Sequence, residues 1–150
     1  MNYLHSMIRV SDLDKTLHLF CHVLGFKEVR RHESEKGRFT LVFLCASGDE
    51  YNSQTKSPVV ELTYNWPSEK GEVENYTNGR NFGHLAYSVD NIYDVCEKLL
   101  HHKVQINRPP RDGRMAFFKT PDGISIELLQ SGDALEPKLP WSEMSNIGDW

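Results

Sequence analysis

LHSMIRVSD, residues 4–12, and GHLAYSVDN, residues 83–91, share one pattern: a histidine near the start, a short alternating run, a valine, then a polar helix-start signal. A stretch that occurs twice in 150 residues, each time ahead of a helical period, points to a duplicated unit.

Working outward from the first copy, Ser11-Asp12-Leu13-Asp14 is an S-x-x-D pattern in which the serine is expected to cap the helix and the acids to favour its positive end. Leu13, Leu17, Phe20 and Leu24 then fall on one apolar stripe, and Gly25 offers the left-handed residue that closes it. In the second copy Asp90-Asn91 opens a helix whose buried face is Ile92, Val95, Cys96, Leu99 and Leu100. Strand-like runs follow each helix: FKEVRRHE, RFTLVFLCA and VVELTYN in the first half, VQIN, MAFFKT and SIELLQ in the second. Thr120-Pro121-Asp122-Gly123 is a turn sequence, whereas the first copy carries a longer polar insert, residues 47–58.

The fold expected is therefore α+β, two tandem βαβββ modules at residues 1–66 and 82–130, joined by a polar linker at 67–81. Open sheets leave faces and edges to cover, which favours module-on-module packing and a homodimer. The extended arm 131–150 carries Trp141, Ile147 and Trp150, side chains that need something to pack on, such as a second subunit.

Composition removes several function classes. A net charge of -4 with no Lys/Arg block argues against nucleic acid. No run approaches ~18 apolar residues and no basic-then-apolar leader opens the chain, so neither a membrane span nor export is expected. Three cysteines, Cys21, Cys45 and Cys96, without C-x-x-C spacing fit a reduced, cytoplasmic protein and packing roles.

Alternate residues of a strand share a face, so His5, Met7 and Arg9 oppose Ile8 and Val10. The same count puts Glu61, Thr63 and Asn65 opposite Val60, Leu62 and Tyr64, and sets Glu127 between Ile126 and Leu128. In both halves the first strand supplies a His, His5 or His84, and the last a Glu, Glu61 or Glu127. An ionised carboxylate inside a sheet is costly without a compensating cation. Two neutral imidazoles and two carboxylates around one divalent ion make a neutral assembly, and this donor set fits Zn, Ni, Co or Fe. His18 and His22, an H-x-x-x-H pair without H-E-x-x-H, read as surface histidines.

LHSMIRVSDLDKTL, VLGF, VVELTYNW, FGHLAYSVDN and TPDGISIELL, taken together and in order, resemble the glyoxalase I (lactoylglutathione lyase) family of the vicinal oxygen chelate superfamily over about residues 3–130. The resemblance implies a fold of paired βαβββ modules and a dimer whose barrel-like sites are each shared between two chains. It assigns His5 and Glu61 of one subunit and His84 and Glu127 of the other as ligands to one divalent metal. His5 at the first ligand position resembles the bacterial type, often nickel- or cobalt-activated, while the longer Glu61-to-His84 connection resembles the zinc type.

The implied reaction converts the hemithioacetal of methylglyoxal and glutathione into S-lactoylglutathione through an enediolate. Glu127 is then the proton carrier, with Glu61 able to serve the other enantiomer. Arg9 and Asn65 match the family's glutathione-contacting positions, each four residues, roughly 13 Å, beyond a ligand on its own strand. Arg80 resembles a further such arginine, and the basic loop RDGRM offers Arg111 or Arg114. Other functions of the same superfamily are an extradiol dioxygenase, an acyl-CoA epimerase or a metal-free binding module. A dioxygenase normally uses a two-His, one-carboxylate iron site, so the second glutamate disfavours it.

Overall fold

A computed structural model describes residues 1–77 and 79–150 of the chain; residue 78, within the expected linker 67–81, lies outside the described residues. The chain divides into two compact units, Met1–Thr77 and Asn78–Trp150. The first holds β1 (His5–Arg9), α1 (Leu13–Leu17), β2 (Lys27–Ser34), β3 (Phe39–Cys45) and β4 (Val59–Asn65). The second holds β5 (His84–Val89), α2 (Ile92–His101), β6 (Ile106–Arg108), β7 (Met115–Lys119) and β8 (Ser125–Gln130). Each is a βαβββ unit, as expected, with sheet orders β1-β4-β3-β2 and β5-β8-β7-β6. The two strands that carry the His and Glu pair in parallel in both units, while the remaining pairs are antiparallel. A first and a last strand, far apart in sequence, thus become neighbours.

The first helix departs from its expected form. Asp12, one residue later than expected, is the N-cap: its carboxylate accepts from the Lys15 amide at 3.0 Å. After Leu17 the chain widens into a π-helical segment, His18–Val23, whose Leu24 amide reaches back five residues to the Leu19 carbonyl at 3.0 Å. The extra residue per turn rotates the buried face, so Thr16, Leu19, Phe20 and Val23 are buried while Leu13, Leu17 and Leu24 are only half-buried. The 3.6-residue period could not anticipate that shift. Gly25 adopts φ 80° and ends the segment as expected.

In the second unit Asn91 caps α2, accepting from the Tyr93 amide at 3.1 Å. The buried face is Ile92, Tyr93, Cys96 and Leu99; Leu100 is exposed and Val95 half-buried. A second clamp comes from β8, where buried Gln130 accepts from the Ile92 amide at 2.9 Å and donates to the Asp90 carbonyl at 2.8 Å. Thr120-Pro121-Asp122-Gly123 forms the expected turn, closed by the Gly123 amide to the Thr120 carbonyl at 2.9 Å.

The C-terminal arm packs on its own unit. Trp141, in the short 3-10 helix Trp141–Glu143, is 1% exposed and stacks on Tyr93 with ring centroids 6.5 Å apart. Asn107 and Ile147 exchange two backbone-directed bonds at 2.8 and 2.9 Å, and Phe117 lies against Trp150 at 6.1 Å. Gly113, at φ 64°, lets the arm pass: a Cβ there would fall 1.9 Å from the Leu135 carbonyl oxygen.

Gln130→Leu keeps the side-chain bulk but leaves the Ile92 amide and the Asp90 carbonyl without this partner. The substitution should lower unfolding free energy by about 2 kcal/mol, read as a reduced urea midpoint at unchanged slope. An unchanged midpoint would mean that the side-chain clamp is dispensable.

Candidate active site

Register explains how each histidine meets its glutamate. His5 lies opposite Val59 and Met7 opposite Glu61; His84 lies opposite Ser125 and Ala86 opposite Glu127. Each carboxylate therefore sits diagonally across a parallel pair, two residues on from its histidine's partner, on the same face. His5 Nε2 is 2.9 Å from Glu61 Oε2, and His84 Nε2 is 3.1 Å from Glu127 Oε2. Side-chain exposures repeat as well, 39% and 12% in the first pair, 42% and 13% in the second. In each pair a nearly covered carboxylate stands against an imidazole that opens to solvent.

A phenylalanine completes the repeat and was not singled out from the sequence. Phe43 lies opposite Glu61 and Phe117 opposite Glu127, and each meets its histidine edge to face, at 6.0 and 5.4 Å between centroids. These rings restrict how the imidazoles can turn. The signal for them was an aromatic at matching places in RFTLVFLCA and MAFFKT, ambiguous because those strands are apolar on both faces. Around Phe43 the floor is Cys45 and Val59 with Leu41, Val29 and Tyr51, the last contributed by the insert 47–58. The Arg30 guanidinium covers the Phe43 ring at 3.7 Å.

Each unit thus offers two donors of the type a divalent cation takes. Among the described residues no three His, Cys, Asp or Glu side chains come together to hold a metal ion. The donor chemistry of each pair, one imidazole and one carboxylate, is of the kind the expected metal takes. His18 and His22 stack on each other at 5.4 Å and are exposed, beside a cavity of about 510 Å³ that Asp14, Cys21 and Glu28 also line.

Arg9 is exposed at the end of β1, and Asn65, at the end of β4, donates to Glu74 Oε2 at 2.7 Å. Arg80 is exposed in the segment before β5. The arginines of RDGRM have structural partners in the arm: Arg111 donates to the Met144 carbonyl at 3.0 Å and Asn146 Oδ1 at 2.7 Å, and Arg114 to the Gly132 carbonyl. Between them Asp112 accepts from Arg108 at 2.8 Å and from the Arg114 and Met115 amides at 3.0 and 3.2 Å. Partial burial alone would raise the Asp112 carboxyl, but these bonds outweigh it and hold it at about 2. The cysteines are unpaired, and burial, reinforced by nearby Glu97, pushes the Cys96 thiol up to about 12, far from a reactive thiolate.

The family model of the Glyoxalase/Bleomycin resistance protein/Dioxygenase superfamily matches residues 2–128. The chain belongs to this superfamily. Among its curated members, the chain is 38% identical over 136 residues to a probable lactoylglutathione lyase of Synechocystis sp., covering 87% of this chain and 96% of that protein. It is 39% identical over 140 residues to the lactoylglutathione lyase of Neisseria meningitidis, covering 89% and 94%. Among solved members, the trypanothione-dependent glyoxalase I of Leishmania major superposes with a TM-score of 0.74 at 35% identity, covering 87% of this chain and 86% of that one. The likeness to glyoxalase I read from the motifs, and the paired-module fold it implied, are both borne out.

Asp112 yields a pH prediction. A carboxyl depressed from 3.8 to about 2 stabilises the fold above its unfolded value, and that contribution is lost as pH falls from near 4 through about 2. Asp112→Asn should therefore flatten the acid limb of stability in that window. A carboxyl carbon titration midpoint for Asp112 near 4 would overturn the assignment.

Proposed function

We infer that this protein is a lactoylglutathione lyase, isomerising the methylglyoxal–glutathione hemithioacetal to S-lactoylglutathione. The observation that carries the reading is the exact repetition of one His/Glu diagonal in two sheets, at 2.9 and 3.1 Å. Lactoylglutathione lyases at 38% and 39% identity, aligned over nearly their whole length, support it.

The metal would be held by His5 and Glu61 of one subunit and His84 and Glu127 of a second, in a homodimer. In support, the faces of β1 and β5 that carry His5, Met7 and Arg9, and His84, Ala86 and Ser88, are exposed in the single chain. An exposed donor face next to an apolar floor is a surface that needs cover. When bound, the divalent cation, of the nickel, cobalt or zinc type, supplies Lewis acidity toward adjacent substrate oxygens.

The chain's own residues then move the proton. Glu127 takes it from the carbon beside the carbonyl and returns it to the neighbouring carbon, so a single carboxylate acts as base and then as acid. Glu61, paired with its own histidine and covered to the same degree, serves the opposite enantiomer. Arg9 and Asn65 address the peptide part of the substrate, with Arg80 as a further cation on its path; Arg111 has its Nη1 bonded to the arm and keeps Nε and Nη2 as donors for substrate. No helix of the described residues is long and apolar enough to cross a membrane, and three unpaired thiols suit a reducing cytoplasm.

Protein reconstituted in turn with Ni, Co, Zn and Mn should form thioester from methylglyoxal and glutathione, followed by absorbance. Failure with all four ions would overturn the reading. Glu127→Gln should cut kcat by about 10²–10⁴-fold with the dimer intact. Arg9→Ala should raise KM with little change in kcat, because its contact is made equally in ground and transition states.

A further inference from the structure

Next to the peptide-binding positions of the first unit stand a carboxylate and a phenol. Glu74 Oε2 accepts a hydrogen bond from Asn65 Nδ2 at 2.7 Å and another from the Tyr76 hydroxyl at 3.0 Å. Glu74 is exposed, yet these two bonds hold its carboxyl below the ordinary carboxylate range, with the charge of Arg9 adding through its field. The side chain is thus an anion at neutral pH, fixed by two donors and within the field of Arg9.

A plain carboxylate ligand would gain from Arg9 and Asn65 and lose to Glu74. An α-amino acid head group, with a carboxylate and an ammonium on one carbon, gains from both signs. The geometry leaves a place for each charge. Asn65 uses one amide hydrogen on Glu74 and has a second, and both bonds to Glu74 end on Oε2, leaving Oε1 to accept.

We propose that Glu74 receives the α-ammonium of the substrate's γ-glutamyl residue, while Arg9 and Asn65 receive the carboxylate on the same carbon. The inference rests on the reading that the substrate is a glutathione hemithioacetal. In that peptide the γ-glutamyl carbon alone carries both charges; the glycine end is an anion only. Glu74 therefore selects for a free amino terminus, and thiol peptides with a deaminated or acylated γ-glutamyl end are disfavoured.

The test uses two stable ligands, S-hexylglutathione and its glutaryl counterpart lacking the amine, titrated calorimetrically into metal-reconstituted wild type and Glu74→Gln. Wild type should bind the amine-bearing ligand about fivefold more tightly, and Glu74→Gln should bring that ratio to about one. An unchanged ratio in the variant, no preference in wild type, or no binding of either ligand overturns the proposal. Tighter binding of both ligands by Glu74→Gln at a constant ratio also overturns it, because Glu74 would then be competing with substrate for Asn65. Turnover is read separately: a wild type that shows the ratio but forms no thioester counts against the isomerase reading and leaves the role of Glu74 standing.

Discussion

Parallel pairing of a first and a last strand is the constraint on which the rest of this structure depends. With β1 beside β4 and β5 beside β8, the register His5↔Val59 and His84↔Ser125 sets each imidazole diagonally beside a carboxylate. A shift of one residue in either pair would send the glutamate to the opposite face, among Ile8, Val10 and Leu62 or among Ile126 and Leu128. The strand meander that follows each helix makes this pairing possible, since it returns the chain to the edge where it began. Burial on one face and donor chemistry on the other are two outcomes of a single register.

The surroundings of the pairs serve two ends. Phe43 and Phe117 restrict the histidine rings, and the apolar patch under the first pair lowers the polarity around a carboxylate that is 12% exposed. Such an environment favours strong interaction with a cation and disfavours an isolated charge. Away from the donor faces, Gln130 and Trp141 do structural work: one ties α2 to β8, and the other stacks the arm on α2. The basic loop belongs to that scaffold as well, because Arg111 and Arg114 bond the arm and Asp112 locks Arg108.

Legibility followed the range of the forces involved. His5, Glu61, His84 and Glu127 could be read from alternation, since strand geometry is local and its period is two. The turn at residues 120–123 and the Asn91 cap were legible for the same reason. The π-helical segment was not, because the widened turn at His18–Val23 satisfies packing of Leu19, Phe20 and Val23 at the expense of the regular period. The partners of Arg111 were equally hidden: Met144 and Asn146 lie over thirty residues away, and nothing local distinguishes an arm-binding arginine from a substrate-binding one. Glu74 in a polar linker carried no signal until Asn65 and Tyr76 were seen to hold it.

By itself the sequence determined the duplication, the order of strands and helices in each copy, the faces of the strands that carry the histidines and glutamates, and the type of donor each copy contributes, because these depend on side-chain period and on capping and turn chemistry over a few residues. Only the tertiary structure decided which donors meet, which arginines are occupied, where the arm docks and which carboxylate stands beside Asn65. Those contacts join residues far apart along the chain, and their geometry follows from strand register and packing, which no local pattern encodes.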